Sequence, residues 1–123
     1  MPALEINQQI TFLHASNLEE TRRFYTDVLG LPLAREQSTC LIFKVTREAY
    51  LGFCEHIESI EPGRKVILTL VSKDVDGWYA ALQAKGENLV NPPIHNPKYG
   101  IYHFFIIDPN GYWVEIQRFD QPL

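Results

Sequence analysis

The stretch DPNGYWVEI, residues 108–116, places a carboxylate near the end of the chain in a setting suited to chemistry. It has the pattern of a tight turn followed by a strand, and Glu115 is the only charged residue between Tyr112 and Ile116. A carboxylate on a strand can bind a metal ion, act as a general base, or simply face water. All three interpretations of Glu115 stay open at this point.

A histidine on the preceding strand is the second group of interest. The DPNG sequence favours a type I turn with Gly111 in the left-handed region and a bulge after it. This turn pairs Phe105 with Glu115 and His103 with Gln117 across the hairpin. His103 is therefore expected close to Glu115, either as its hydrogen-bond partner or as an acid/base or ligand-contact group. His56 and His95 fall in predicted loops and are expected to face solvent.

The two cysteines suggest no chemistry of their own. Cys40 and Cys54 are too few for a disulfide framework and lack a C-x-x-C spacing, so we expect buried or half-buried thiols in a reducing compartment. Cys54 and His56 lie two residues apart, but this spacing alone does not make a nucleophile and its base. The sequence also contains no glycine-rich phosphate loop, no G-x-S-x-G and no H-E-x-x-H.

Length and composition indicate one ordinary globular domain. The chain has 123 residues, of which 46% are hydrophobic and 21% charged, and its net charge is −4. The absence of a basic stripe argues against a nucleic-acid partner. The first ten residues do not resemble a signal peptide, and no apolar run approaches the ~20 residues that span a bilayer. The expectation is a soluble, cytoplasmic protein without a membrane partner.

Two similar series of elements make up the chain. In the first, residues 8–15 predict a strand, residues 17–30 a helix capped by Asn17 and ended by Gly30, and residues 31–37, 39–45 and 50–56 three strands. In the second, residues 65–72 predict a strand and residues 74–86 a helix capped by Asp74. Three strands follow at residues 87–94, 101–108 and 112–119, with a polar loop at 95–100. Ile10 lies seven residues before the cap Asn17, and Ile67 lies seven residues before the cap Asp74. The two series are therefore alike in spacing, and the chain has a doubled βαβββ order.

The chain resembles the vicinal-oxygen-chelate superfamily, which includes glyoxalases, bleomycin-resistance proteins and extradiol dioxygenases. The likeness is carried by Asn17-Leu18, Thr21, Phe24-Tyr25 and Leu29-Gly30 in the first helix, and by the closing hairpin from Asp108 to Glu115. It extends over about residues 8–120. The resemblance implies an α+β fold of two βαβββ modules, forming a curved eight-stranded mixed sheet around a cleft with the helices outside. It also implies a homodimer, which many members form.

The predicted domain organisation follows from this resemblance. Residues 1–123 form a single domain, with module 1 at about 8–56, a linker at 57–64, and module 2 at about 65–120.

The resemblance further implies four positions for a divalent metal ion, and this sequence fills only one of them with a donor. Ile10 and Ile67 stand where members usually have His or Gln and His, and the fourth strand offers only Leu51, Gly52 and Phe53. Glu115 matches the last position. Because a catalytic ion needs about three protein ligands, we predict no metal and no cofactor.

The predicted cleft is mostly apolar and aromatic, as small-molecule pockets commonly are. Alternation along strands places the following side chains on its surface: Ile10, Phe12, His14, Ile67, Thr69, His103, Phe105, Trp113 and Glu115. The candidate ligand-binding residues are Phe12, His14, Thr69, Phe105, Trp113 and Tyr102, the last as part of a possible gate. Glu115 and His103 are the candidate catalytic residues.

The sequence therefore favours a protein that binds a small aromatic or apolar molecule without a metal. Two enzymatic alternatives remain: a metal-dependent lyase, isomerase or dioxygenase of the same superfamily, and a metal-free acid/base enzyme that uses Glu115 and His103. A structural or regulatory dimer without a working site is a further alternative.

Overall fold

The computed structural model describes residues 5–59 and 63–123, which form two compact units with a boundary between residues 60 and 61. The predicted linker, 57–64, includes residues 60–62, which lie outside the described residues.

The first unit contains one helix and a four-stranded sheet. The helix starts as α1 (Leu18–Arg22) and continues as a π-helix (Arg23–Val28). The strands are β1 (Gln9–His14), β2 (Leu33–Gln37), β3 (Cys40–Thr46) and β4 (Ala49–Cys54). Their order in the sheet is β1-β4-β3-β2, with β1 parallel to β4 and the other pairs antiparallel.

The limits of the first helix follow from its sequence. The Asn17 side chain accepts a hydrogen bond from the backbone N–H of Glu20 at 3.0 Å, as expected of an N-cap. The N–H of Leu29 donates to the carbonyl of Phe24, five residues earlier, which is the π-helical pattern. Gly30 follows with a φ of 76°, a conformation that favours glycine, and ends the helix as predicted.

Aromatic packing joins this helix to its sheet. The Tyr25 ring lies 4.5 Å from the Phe53 ring and 5.5 Å from the Phe43 ring, measured between centroids. All three side chains are fully buried, with Phe24 beside them. The helix thus covers one face of the sheet, and side chains of opposite parity lie on the other face.

The second unit repeats this arrangement. Its strands are β5 (Gly63–Val71), β6 (Ile94–Asn96), β7 (Ile101–Ile107) and β8 (Tyr112–Phe119), in the order β5-β8-β7-β6, and its helix is α2 (Val75–Ala84). Strand β5 is parallel to β8, just as β1 is parallel to β4. The Asp74 carboxylate accepts from the N–H of Gly77 at 3.0 Å and caps α2 as predicted.

The core of the second unit lies between α2 and one face of its sheet. Tyr79 contacts Phe104 with ring centroids 5.3 Å apart. The buried side chains of this core include Val75, Leu82, Phe104, Ile106, Val114 and Ile116. Val114 and Ile116 therefore pack on the helix side, and Glu115 between them points to the opposite face, as strand alternation predicts.

One predicted strand is misplaced. The segment 87–94 was expected to be a strand, but pairing with β7 in a regular strand begins only at Ile94, with a single bridge between Leu89 and Ile106 before it. Pro92 and Pro93 have no N–H to donate, so they interrupt the ladder. His95 consequently lies in β6 and not in a loop, and its Nε2 pairs with the Asp120 carboxylate at 2.8 Å.

The α+β fold with a doubled βαβββ order is confirmed, with eight strands in two four-stranded mixed sheets. Neither helix of the described residues has the length and apolar character needed to cross a membrane.

Candidate functional site

The hairpin that carries Glu115 is fixed by the turn before it. Gly111 has a φ of 88°, and the buried Asp108 carboxylate accepts from the N–H groups of Asn110 at 2.9 Å and Tyr112 at 2.8 Å. A short side chain that binds the turn's own backbone in this way sets the register of both strands. The predicted pairs are confirmed, because His103 lies opposite Gln117 and Phe105 opposite Glu115.

Glu115 is the centre of a hydrogen-bond network on the face of the second sheet opposite α2. Glu115 is only 8% exposed. The Thr69 hydroxyl donates to Oε1 at 2.7 Å, and Nδ1 of His103 lies 2.6 Å from Oε2. The carboxylate thus has a partner on each neighbouring strand, as a buried carboxylate needs.

Gln117 adds a third partner from the same strand. Its amide fits best with the nitrogen turned toward Glu115, 3.1 Å from Oε1 and 3.2 Å from Oε2. Gln117 is itself buried, so this contact satisfies two polar groups at once. The sequence placed Gln117 on this face but did not identify it as a donor; the spacing of two residues on one strand was the available signal.

Aromatic rings surround the network. Phe105 meets His103 at 5.3 Å and Trp113 at 5.1 Å between centroids, both edge to face. We call this surface the Glu115 face; its side chains are Thr69, His103, Phe105, Trp113, Glu115 and Gln117. Ile67 lies opposite Trp113 and is 43% exposed at its border. The structure therefore brings together five candidate residues predicted from the sequence: Thr69, His103, Phe105, Trp113 and Glu115.

Tyr102 does not belong to this group. It alternates with His103 on β7, so its side chain lies on the helix side of the sheet. Its hydroxyl donates to the Asp76 carboxylate of α2, and the Arg118 guanidinium lies 4.9 Å from its ring centroid. The hydrogen bond to Asp76 raises the pKa of Tyr102. Strand β7 therefore turns Tyr102 to the face opposite Glu115, and its role as a ligand contact or gate stays a prediction.

The remaining candidates lie in the first unit. The Phe12 ring lies on Gly52, its partner across β1 and β4, so closely that a Cβ at Gly52 would stand 2.4 Å from two ring carbons. His14 is held by the backbone, with Nδ1 2.7 Å from the carbonyl oxygen of Ile57. Ile10 is 39% exposed and borders a pocket of about 230 Å³ together with Arg35 and Tyr50.

The residues at the family's metal positions do not fit a metal ion. Ile10 and Ile67 have no donor atom, and Gly52 has no side chain, its space being filled by the Phe12 ring. Only Glu115 carries donor oxygens, and both already accept hydrogen bonds. Among the residues described, the only group of three or more His, Cys, Asp or Glu side chains with metal-ligand spacing lies elsewhere, at Cys40, Cys54 and His56.

The cysteines differ from the expected thiols. Cys40 and Cys54 face each other directly across β3 and β4, and their sulfurs are joined in a disulfide. The sequence could not reveal this contact, because it depends on the register set by the turn between the two strands. His56 follows two residues after Cys54, and its Nδ1 lies 3.8 Å from the Cys40 sulfur.

Comparisons with known proteins agree with the fold. Residues 8–116 match the model of the Glyoxalase/Bleomycin resistance protein/Dioxygenase superfamily. No curated protein sequence matches the chain. Among solved structures, the antibiotic binding protein TnmS3 from Streptomyces sp. CB03234 superposes with a TM-score of 0.80 at 22% identity, covering 96% of this chain and 98% of that one.

Two further structures have the same fold. A lactoylglutathione lyase from Agrobacterium tumefaciens gives a TM-score of 0.75 at 22% identity, over 95% of both chains. A glyoxalase/bleomycin resistance protein/dioxygenase from Nocardioides gives 0.77 at 19% identity, over 97% of this chain and 86% of that one. At these identities the likeness concerns the fold alone.

Proposed function

Because the chain belongs to the Glyoxalase/Bleomycin resistance protein/Dioxygenase superfamily, we propose that it binds a small apolar or aromatic molecule on the Glu115 face, without a metal ion. The observation that carries the proposal is the set of hydrogen bonds made by the Glu115 carboxylate. Thr69 and His103 bind its two oxygens, and Gln117 lies within hydrogen-bond distance of both.

The donor set supports the metal-free part of the proposal. A zinc-type catalytic ion takes about three protein ligands and leaves a position for substrate. The family positions supply one carboxylate, whose two oxygens already accept hydrogen bonds at 2.7 Å and 2.6 Å, and one carboxylate falls short of the ligands that such an ion needs. The side chains of Ile10 and Ile67 have no donor atoms that could coordinate an ion. We therefore derive no step through a metal ion.

The surroundings of Glu115 support binding of a flat molecule. Phe105 and Trp113 are partly exposed and set edge to face, so each offers ring surface that a second aromatic system can cover. The exposed Ile67 extends the apolar area. A carboxylate at the centre, held in place by fixed donors, suits a neutral or cationic ligand that presents an N–H or O–H group to it.

Solved structures with this fold support the proposal only in a general way. One of them is described as an antibiotic binding protein and another as a lactoylglutathione lyase. The fold therefore accommodates both binding and catalysis, and the choice rests on the residues of the site.

A metal-free acid/base enzyme is the second candidate, and one contact favours it. His103 holds Glu115 through Nδ1 at 2.6 Å, which leaves Nε2 as the ring atom able to exchange a proton with a bound molecule. In that reaction Glu115 would orient the ring and balance the charge of the imidazolium. A turnover that survives a chelator and is lost in both Glu115→Gln and His103→Gln would favour this candidate.

The two tryptophans of the chain provide a direct test of binding. In Trp78→Phe, Trp113 is the single indole, and it lies on the Glu115 face; in Trp113→Phe, only Trp78 on α2 remains. Chelator-treated protein is titrated with a panel of neutral and cationic aromatic compounds. We expect saturable fluorescence changes for some compounds in Trp78→Phe and none in Trp113→Phe. Equal responses of both variants, or none in Trp78→Phe across the panel, would overturn the proposal.

A further inference from the structure

The disulfide and the histidine beside it form a second site, independent of the Glu115 face. We propose that Cys40, Cys54 and His56 are a redox-controlled metal site: the reduced chain binds one Zn²⁺ through two thiolates and an imidazole, and the disulfide abolishes this binding.

The donor geometry supports the proposal. The two sulfurs and one imidazole nitrogen lie within 4.8 Å of one another, and the distance from Cys40 Sγ to His56 Nδ1 is 3.8 Å. Around a tetrahedral Zn²⁺, with bonds of about 2.3 Å to sulfur and about 2.0 Å to nitrogen, donors stand about 3.5–3.8 Å apart. The imidazole nitrogen therefore already stands near the required distance from the Cys40 sulfur, and the two sulfurs must separate on reduction.

The positions of these residues in the sheet hold the site together in both redox states. Strands β3 and β4 are the two central strands of their sheet, so the register that sets Cys40 opposite Cys54 does not depend on the disulfide. The pairing continues past Cys54, because the N–H of Glu55 donates to the carbonyl of Thr39 at 3.0 Å. In the disulfide form the Thr39 hydroxyl also bonds Nδ1 of His56 at 2.8 Å and keeps the ring beside the sulfurs; Zn²⁺ binding at Nδ1 would replace this bond.

The chemistry of the donors selects the type of ion. Two thiolates and one imidazole favour zinc over magnesium or calcium, which prefer oxygen ligands. Three protein donors leave one coordination position for water or another ligand. Both cysteines are buried and His56 is exposed, so an ion is expected to approach from the His56 side.

The switch between the two states is a balanced thiol exchange. A low-molecular-weight thiolate attacks one sulfur of the Cys40–Cys54 bond, the other sulfur leaves as a thiolate, and a mixed disulfide forms. A second small thiol displaces the protein sulfur and leaves as the small disulfide. Two small thiols are thus oxidised and two protein thiols are formed. Zn²⁺ then binds as both thiols lose their protons.

Cobalt binding by the intact chain tests the proposal, because tetrahedral Co²⁺ with thiolate ligands has a characteristic absorption. The reduced chain is expected to bind one Co²⁺ with a thiolate charge-transfer band and to exchange it for Zn²⁺. The same sample, after oxidation by oxidised glutathione, is expected to release the ion. A reduced chain without this band, or an oxidised chain that keeps the ion, would refute the site.

Variants identify the ligands. Cys40→Ser/Cys54→Ser is expected to lose the band entirely, and His56→Gln to weaken Co²⁺ binding at least tenfold. His95→Gln is the matched control, since His95 is another exposed imidazole, paired with Asp120 in the second unit, and should bind as the wild type does. Equal weakening by His56→Gln and His95→Gln would exclude His56 as a ligand. The comparison of oxidised and reduced wild type needs no variant to fold.

These results are independent of those for the Glu115 face. A metal ion bound by the reduced chain and lost in Cys40→Ser/Cys54→Ser belongs to the thiol site. An ion retained by that variant and lost in Glu115→Ala would instead contradict the proposed metal-free function.

Discussion

At the residue scale, the network around Glu115 predicts a measurable contribution to stability. Glu115→Ala leaves the buried Gln117 and the half-buried His103 without their acceptor, while the exposed Thr69 can bond water; unpaired buried polar groups cost about 1–3 kcal/mol. Glu115→Gln keeps a carbonyl oxygen and should cost less. Urea unfolding of both variants measures the difference. If Glu115→Ala is as stable as the wild type, the hydrogen bonds from Thr69, His103 and Gln117 do not stabilise the fold.

The contact between Phe12 and Gly52 predicts a non-additive pair. Gly52→Ala would place its Cβ against the Phe12 ring, so this half-exposed ring must turn away from its present rotamer, at a cost of about 0.5–1.5 kcal/mol. In a Phe12→Ala background the clash disappears, and the alanine should stabilise by about 0.4–1 kcal/mol, because it reduces the freedom of the unfolded chain. A double-mutant cycle by urea unfolding measures the coupling. If the stability effects of Gly52→Ala and Phe12→Ala are additive, the Phe12 ring does not lie against Gly52.

The sequence predicted several residues around Glu115 but not all of its hydrogen-bond donors. The DPNG turn was enough to place His103 and Phe105 beside Glu115, since turn type determines hairpin register. Thr69 comes from a strand distant in sequence, and its bond to Glu115 depends on the parallel register of β5 and β8. No local pattern encodes that register, so the roles of Thr69 and Gln117 as donors emerged only from the structure.

At the element scale, Tyr102 links β7 to α2 and predicts a pH dependence. The bond to Asp76 raises the pKa of Tyr102, so the folded phenol loses its proton at higher pH than the unfolded one, which titrates near ~10. Its contribution to stability is therefore complete below that pH and is lost as the pH rises through the folded value.

Tyr102→Phe tests this dependence. The stability difference between wild type and Tyr102→Phe should be constant at neutral pH and shrink above pH ~10. An ultraviolet titration should show one phenol fewer among those that titrate late, and Asp76→Asn should bring the Tyr102 titration back toward its ordinary range. An unchanged late titration in Tyr102→Phe would assign the raised pKa to another tyrosine.

The disulfide links β3 to β4 and predicts the effect of reduction. Its sequence separation is 14, and a cross-link of about 15 residues stabilises by about 3 kcal/mol in the chain-entropy model. With a chelator present, reduction should lower the free energy of unfolding by roughly this amount, and Cys40→Ala/Cys54→Ala should be unaffected by the reductant. A wild type whose stability is insensitive to reduction would show that this bond does not form in solution.

The elements themselves were largely predictable. Asn17, Gly30 and Asp74 mark helix ends through capping, which is local and therefore readable. The strand before β7 was misplaced because the residues 87–91 look β-like, while the prolines that follow delay regular pairing until Ile94. The disulfide was missed because the turn between β3 and β4, Arg47-Glu48, contains no Gly, Asn or Asp that would indicate its type and hence the register of the two strands.

At the scale of the whole molecule, the family is established and several implied properties stay predictions. The resemblance implies a homodimer, and the length and composition of the sequence predict a single domain and a cytoplasmic location. Sedimentation equilibrium of the wild-type chain tests the first of these; a monomer at high protein concentration would contradict it. The net charge of −4 and the lack of clustered Lys and Arg residues in the sequence argue against a nucleic-acid partner.

The proposed function requires that the chain bind no metal ion at the positions that the family resemblance implies. The most direct test is the metal content of the disulfide-bonded chain, purified without chelator and analysed by mass spectrometry. We predict far less than one ion of nickel, zinc, iron or manganese per chain, because Ile10, Ile67 and Gly52 supply no ligand. A full equivalent of one ion that disappears in Glu115→Ala would contradict the claim.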